Sequence, residues 1–575
     1  MSANPRTTSD VLVDILIEKG VEYIFGHPGG AAIPIYDALV GRKIELVLTR
    51  HEQGAVHMAD GYARASGKTG VVLVTSGPGA TNTITGLLTA YMDSVPIIVI
   101  TGQTTTWNLG LDAFQEADVS GISYPVVKHS YLVKKASDLP RVLREAFFIA
   151  GSGRPGPVLI DLPKDISSAV LTSAPDQEFH LPGYSPSSET DEEAVRQAAE
   201  MIGFAKRPLL LVGHGSIIAG ASEEVRKLAI DLQIPVVNTL LGKGCFSESH
   251  ELSLGMLGMH GTGYANRAMV ESDLIINIGS RFDDRIVGRY DDFCRNAKKI
   301  HFDIDASELN KVVQVDIAVK GDAKKSLSSL LYHFTQGTQA PDTTAWVKQV
   351  KRWRREMPLH YKKEGKLRAQ HVMNEMYKLT QGKAIITTDV GQHQMWAAQF
   401  FPTEKPRDWL SSGGAGTMGF GFPSAIGAQL ARKNELVIAV VGDGGFQMTL
   451  CELSTAFNLK IPVKILVINN HYLGMVRQWQ NMFYEDRLSG VDLEGSPDFV
   501  KLAEAYGIKA FRIRRSADVR KVLKAALDYK AGPCLIDAEV EKHDNVFPMI
   551  PAGASLSQIL LEAPKRKLDK PTGST

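Results

Sequence analysis

The sequence predicts an α/β protein built from three doubly wound parallel-sheet domains, and three observations carry that reading. Its 575 residues suffice for several full cores. Short apolar, β-branched runs recur along the chain, most of them closing on Gly, Asp or Asn, with stretches of helical period between them. That is the pattern of parallel strands buried on both faces. Finally, two stretches rich in Ser, Thr, Pro and acid, residues 167–193 and 336–344, lack periodicity and read as linkers. They delimit domains at about 1–170, 190–335 and 365–545, and leave a basic tail, 565–575, expected to fray.

In the first segment the strand-like runs are GVVLVTSGPG, VPIIVITG and GPVLIDLP; in the second, RPLLLVGHG, LIINIGS and KKIHFDID; in the third, AIITTDVG, ELVIAVVGDGG, VKILVINN and PCLIDAEV. Ligands of such sheets bind beyond the carboxyl ends of the strands, so the polar residues closing these runs are the candidates for chemistry. Hydrophobic residues at 44% and charged residues at 22% exclude a disordered chain or a rod. Lys+Arg 64 against Asp+Glu 63, a net charge of +1, gives no reason to expect nucleic acid. Cys245, Cys294, Cys451 and Cys534 lie far apart with no CxxC, and read as buried small hydrophobes in a reducing compartment. No secretion signal opens the chain, and no apolar run approaches the roughly 18 residues that span a bilayer. The expectation is a cytoplasmic protein with no membrane partner.

The most informative stretch is ELVIAVVGDGGFQMTLCELSTAFNLKIPVKILVINNHYLG. Asp443 closes one strand and Asn470 the next, so a parallel sheet brings both side chains to one rim. Gly442, Gly444 and Gly445 let the backbone approach closely. Two oxygen ligands there suit a Mg²⁺ carrying a diphosphate, because Mg²⁺ takes few protein oxygens and leaves its other positions to phosphates and water. Either piece alone is an ordinary turn or strand end. Together, GDG and NN with 24 residues between them resemble the thiamine-diphosphate signature of the pyruvate-oxidase and decarboxylase-like enzymes. The resemblance implies Mg²⁺ on Asp443, Asn470 and the carbonyl of Tyr472.

Thiamine diphosphate also needs a carboxylate hydrogen-bonded to its aminopyrimidine ring. LVLTRHEQGAVHMADGYARASG supplies Glu52, which follows an apolar strand and opens a helix. By itself an acid there is a common helix-start residue, but the stretch is similar to the family segment in which this Glu activates the cofactor. His51 and His57 stand as HExxxxH, not HExxH, which disfavours a zinc hydrolase. Further blocks, among them GHPGGAAIPIYDAL, TSGPGATN, DAFQEADVSGIS, SGRPGPVLIDLPKD, GMLGMHG, RFDDR, GQHQMWAAQF and GGAGTMGFGFP, resemble the catalytic large subunit of the acetolactate synthase family over nearly the whole chain.

That resemblance implies a pyrimidine-binding N-terminal domain, a central Rossmann-like FAD domain and a C-terminal diphosphate/Mg²⁺ domain. It places Gln392, His393 and Gly416 among the cofactor contacts and makes Met418 the apolar prop under a bent thiamine diphosphate. The middle domain has Gly213 and Gly215 after a strand but Ile218 where a dinucleotide fingerprint has its third glycine, so the bare motif is weak. The resemblance instead implies FAD contacts from Arg154, Gly213, Gly215, Leu257, Gly258, Met259, His260, Gly279, Arg281, Asp283, Arg285, Asp303 and Asp322. It lines the route to the reaction centre with Gly29, Phe114, Gln115, Lys164 and Arg281, and gives Trp479 the choice of second substrate. Thr105 falls at a position that contacts herbicides in relatives.

The activity so implied is decarboxylation of pyruvate and ligation of the two-carbon unit to a second 2-ketoacid. Pyruvate gives 2-acetolactate and 2-ketobutyrate gives 2-aceto-2-hydroxybutyrate, the first common step toward the branched-chain amino acids. The resemblance further implies a homodimer or dimer of dimers, with Glu52 and Asp443 meeting across subunits, and a separate small regulatory subunit. The rivals are another thiamine/FAD 2-ketoacid enzyme, such as a pyruvate oxidase or a different carboligase, and a catalytically silent homologue.

Overall fold

The computed structural model describes residues 6–171 and 181–563. It contains three six-stranded sheets in which every strand pair is parallel. The first holds β1 (Tyr23–His27), β2 (Glu45–Leu48), β3 (Gly70–Val74), β4 (Ile97–Gln103), β5 (His129–Leu132) and β6 (Val158–Pro163), in the order β2-β1-β3-β4-β6-β5. The second holds β7 (Pro208–Val212), β8 (Val236–Asn238), β9 (Ser253–Met256), β10 (Leu274–Ile278), β11 (Lys298–Asp303) and β12 (Ile317–Lys320), ordered β12-β11-β10-β7-β8-β9. The third holds β13 (Ile385–Thr388), β14 (Trp409–Ser411), β15 (Val437–Gly442), β16 (Lys464–Asn469), β17 (Lys509–Ile513) and β18 (Cys534–Glu539), ordered β14-β13-β15-β16-β18-β17.

All ten runs read as strands are strands, and they fill the sheet centres: β3, β4 and β6; β7, β10 and β11; β13, β15, β16 and β18. The linker at 336–344 matches a helix ending at Thr335 and another starting at Thr344. The linker at 167–193 is narrower than expected, because Ser167 and Ser168 finish the helix Lys164–Ser168 and Glu192 opens the next; residues 172–180 of it, like the basic tail, lie outside the described residues. Three of the four free cysteines are buried, but Cys451 is half-exposed and so is no core hydrophobe.

The chain forms two compact units. Among the described residues, one comprises 6–171, 181–189, 362–397 and 403–542 and holds the first and third sheets; the other comprises 190–361, 398–402 and 543–563 and holds the second. In the first unit one apolar cluster runs from Tyr23, Phe25 and Val72 of the first sheet to Val437, Ala439 and Leu535 of the third. Two helices seal it, Glu52–Ser66 and Gly421–Ala431. They meet backbone to backbone. A Cβ on Gly61 would lie 2.1 Å from the Ser424 carbonyl oxygen, and one on Gly427 would lie 1.9 Å from that of Met58, so neither position has room for a side chain. The second unit packs each face of its sheet separately, around Leu210, Ile276 and Phe302 on one side and Leu209, Leu211 and Trp346 on the other. Among the described residues no helix is long and apolar enough to cross a membrane.

Candidate active site

The end of β15 and the end of β16 adjoin in register, with Gly442 opposite Ile468. Asp443 and Asn470 therefore emerge side by side. They line one cavity together with Gln392, His393, Met418, Gly442, Gly444, Gly445, Tyr472 and Leu473. Nine sequence-predicted residues are thus brought together. The cavity exists because its floor is glycine: a Cβ on Gly442 would meet the His393 ring at 2.7 Å, and one on Gly444 would meet Leu473 at 2.7 Å.

Asp443 is buried, and burial pushes its carboxyl up to about 7. Its Oδ2 has no hydrogen-bond partner. A buried carboxylate oxygen left unsatisfied costs free energy unless something cationic meets it, and a divalent ion is the fitting complement. Asn470 is held ready beside it: its Oδ1 accepts from Tyr472 N at 3.1 Å, and its Nδ2 donates to Gln392 Oε1, also at 3.1 Å. Gln392 in turn donates to Gln478 Oε1 at 2.8 Å. Among the described residues no cluster of three His, Cys, Asp or Glu side chains could hold a metal, so the donors here are the oxygens of one Asp and neighbouring amides. That set suits Mg²⁺ with phosphate oxygens. His393 is fully desolvated, which lowers its pKa to about 3 and keeps it neutral, and its Nε2 has no partner.

Met418 stands on a loop pinned by a residue that sequence reasoning missed. Buried Asp389, following β13, accepts from Gly419 N at 3.0 Å and Gly421 N at 3.2 Å, and burial raises its pKa to about 6. Gly416 and Gly419 turn the loop with φ +64° and +89°, a region glycine enters without strain; Gly416 itself is not in the cavity wall.

Glu52 is not in that wall either. It is the first residue of its helix, 9% exposed, with Oε2 accepting from Asn82 Nδ2 at 2.9 Å. Gly79 crowds its other oxygen, at 3.3 Å from an added Cβ. Asn82 was also missed, although it lies in the quoted TSGPGATN block. Four of the expected substrate residues follow strands of the first sheet: Gly29 comes after β1, Phe114 and Gln115 after β4 and the turn Thr106–Asn108, and Lys164 directly after β6. Phe114 is 89% exposed. Trp479, on the helix Gly474–Phe483 of the third sheet, stacks edge-on against Phe483 at 5.4 Å and does not line the cavity.

Models of the thiamine pyrophosphate enzymes match three parts of the chain: the N-terminal TPP-binding domain at 6–122, the central domain at 195–330 and the C-terminal TPP-binding domain at 389–538. The chain is 45% identical to the acetolactate synthase large subunit of Haemophilus influenzae, with 97% of this chain and 99% of that protein covered. It is 47% identical to the large subunit of Lactococcus lactis, with coverage of 97% and 96%, and 45% identical to the isozyme 3 large subunit of Escherichia coli, with 97% and 99%. The chain belongs to the acetolactate synthase large-subunit family.

The strand order of this family member's second sheet is that of a dinucleotide-binding fold, with the switch point between β7 and β10. Gly213 follows β7 and Gly279 follows β10, and they interlock: a Cβ on Gly213 would lie 2.3 Å from the Gly279 oxygen, and one on Gly215 would lie 2.8 Å from the Gly279 Cα. Backbone packing alone explains these glycines. Asp283 and Asp322 cap helices, accepting from Arg285 N and Lys325 N at 3.0 Å each. Asp303 follows the same rim and accepts from Asp305 N at 2.9 Å. Leu257 is buried, Gly258 has φ +92°, and Met259 N donates to the Arg285 carbonyl at 2.8 Å. His260 is desolvated, its pKa lowered to about 4, and its Nδ1 lacks a partner. Arg281 is half-buried beside Asp283. Arg154 belongs to the other unit, donating to Ser94 Oγ at 2.8 Å.

Proposed function

We propose that the chain is an acetolactate synthase, joining the two-carbon unit of decarboxylated pyruvate to a second pyruvate or to 2-ketobutyrate. The observation that carries the reading is the unpaired, buried Asp443 Oδ2 beside Asn470 at adjoining strand ends, over a glycine floor. Asp443, Asn470 and the Tyr472 carbonyl would hold Mg²⁺ and with it the diphosphate of thiamine diphosphate. Bound there, that cofactor supplies a carbanion equivalent and an electron sink for loss of CO₂. Glu52 receives and returns a proton at the aminopyrimidine ring, and its burial and its bond from Asn82 hold it in one orientation. Met418, on its Asp389-pinned loop, would support the bound cofactor, and the apolar walls would keep water from the reaction centre. Arg281 would clamp the second ketoacid's carboxylate, and Trp479 would favour the larger ketoacid by contact with its extra methyl group, worth about 1–3 kcal/mol.

Glu52 does not line the Asp443 cavity, which supports a site completed by a second copy. Trp107, Leu111 and Phe114, exposed at 68%, 70% and 89%, give that copy an apolar surface to cover. The second sheet's switch point, with His260, Arg281 and Arg285 nearby, would seat FAD. A small regulatory subunit is proposed from the relatives' designation as large subunits, and a cytoplasmic location from the four free cysteines. The test is incubation with pyruvate, Mg²⁺ and thiamine diphosphate, with and without an electron acceptor. Acetolactate, read as acetoin after acid treatment with no acceptor consumed, is expected. Peroxide formation, or undiminished turnover by Glu52→Gln, would reject the reading.

A further inference from the structure

Glu452 has no part in the chemistry above, yet its carboxylate is fully buried against the start of the helix that carries Glu52. Oε1 accepts from both Arg50 N and His51 N at 3.0 Å, and Oε2 accepts from Thr455 Oγ1 at 2.7 Å. His51 is the helix N-cap and Glu52 its first residue, so these are the backbone donors immediately before the proposed proton-transfer group. Helices commonly satisfy the N-cap N–H with a Glu side chain from their own third position. Here that position is Gly54, and a Cβ on it would lie 2.3 Å from Glu452 Oε1. A carboxylate from 398 residues further along the chain stands where the local one would be, and Gly54 is the space that admits it.

We propose that Glu452 is a positioning residue, fixing Glu52 through the two amides that precede it. The inference rests on the proton-transfer role given to Glu52. Glu452 also closes the one-turn segment that follows the helix Asp443–Thr449. One short rod of chain therefore bears a metal-binding carboxylate at its start and the anchor of Glu52 at its end. If Glu52 serves a partner's cofactor, this rod ties the two sites of a dimer together.

The test compares wild type, Glu52→Gln, Glu452→Ala, Glu452→Gln and Gly54→Ala as holoenzymes loaded with thiamine diphosphate and Mg²⁺. The readouts are the exchange rate of the cofactor C2 proton by quenched NMR, the cofactor Kd, the melting temperature, and hydrogen exchange of the peptide around residues 48–56. A carboxylate displaced by about 1 Å is expected to slow C2 exchange in Glu452→Ala about a hundredfold, with Kd nearly unchanged and the 48–56 amides exchanging faster. Glu452→Gln should be rescued to within about fivefold, because one amide oxygen can still accept from the backbone N–H groups of Arg50 and His51 while its NH₂ turns to Thr455 Oγ1. Gly54→Ala should slow C2 exchange too, although Gly→Ala inside a helix ordinarily stabilises it; a defect with an undiminished melting temperature separates positioning from stability. C2 exchange at the wild-type rate in Glu452→Ala or, should that variant not fold, in Gly54→Ala would overturn the proposal while Glu52→Gln remains slow. Wild-type exchange in Glu52→Gln would overturn the reading of the site itself.

Discussion

The first and third sheets share one strand order but end their third and fourth strands on different residues. Numbering by position pairs β1 with β13, β2 with β14, β3 with β15, β4 with β16, β5 with β17 and β6 with β18. The helix after β2, Glu52–Ser66, and the helix after β14, Gly421–Ala431, are then counterparts, and they are the pair that interlocks through Gly61 and Gly427. At the ends of the third and fourth strands the two sheets part. The third sheet sets Asp443 and Asn470 there; the first sets Thr75 and Thr104. That pair carries no anionic oxygen to set against a divalent ion. The first sheet instead places its carboxylate, Glu52, on the helix whose counterpart follows the glycine loop. In the proposed reading, one framework thus presents an anion-holding rim on one copy and a proton-transfer acid on the other.

Asp443→Ala should break that division most severely. Outer-sphere partners of a metal already contribute about 10–100-fold to its affinity, so removal of this ligand should weaken retention of Mg²⁺ and thiamine diphosphate by more than about a hundredfold, measured by calorimetry. The matching Thr75→Val should change cofactor affinity less than about threefold, since that rim holds no ion in this reading. The helix crossing is next. Gly427→Ala should destabilise the first unit by about 3 kcal/mol, because overpacking against backbone cannot relax. Gly151→Ala, at a helix end where an added Cβ meets nothing within 4 Å, should change stability by less than about 1 kcal/mol. Chemical denaturation followed by limited proteolysis reads both.

What the sequence makes legible follows burial. The ten strands identified in advance are contiguous at the centre of each sheet, where both faces are covered and the residues form unbroken apolar runs such as VIAVVG. At the edges only β2, the apolar strand before Glu52, is also read in advance; the missed strands include β5, with burial only at Ser130, and β17, with burial only at Ile513, half-exposed edges whose HSYL and KAFRI carry too little apolar signal to stand out from helix or loop. The same logic holds at the site. Asp443 and Asn470 are legible because the residues and their spacing sit in one stretch of chain. Asn82, Asp389 and Glu452 are not, because each acts through a group that only folding brings near: Asp389 on Gly419 and Gly421, Glu452 on Arg50 and His51. Backbone amides have no sequence signature.

β6 and β18 are counterparts, and each carries a buried Asp fourth in the strand, Asp161 in VLIDLP and Asp537 in CLIDAE. Their partners differ. Asp161 accepts from neutral donors, Thr101 Oγ1 at 2.7 Å and Gln103 Nε2 at 2.9 Å, and burial raises its pKa to about 7. Asp537 accepts from Asn469 Nδ2 at 3.1 Å and also from the Arg512 guanidinium at 3.2 Å, which opposes the upward push of burial. An Asp raised from about 3.9 stabilises the fold fully only below that value, and the contribution is lost as pH rises through the folded pKa, here toward 7. Asn at position 161 cannot ionise, and the Thr101 hydroxyl can turn to accept from it. The stability of Asp161→Asn relative to wild type should therefore climb between pH 5 and 7, by at most about 1.4 kcal/mol per pH unit, and level off above. Asp537→Asn should show a shallower climb from a lower start, because it strips Arg512 of one anionic partner. Apparent melting temperatures across that range distinguish the two; a flat difference for Asp161→Asn would mean that its two neutral donors keep the carboxylate charged in spite of its burial.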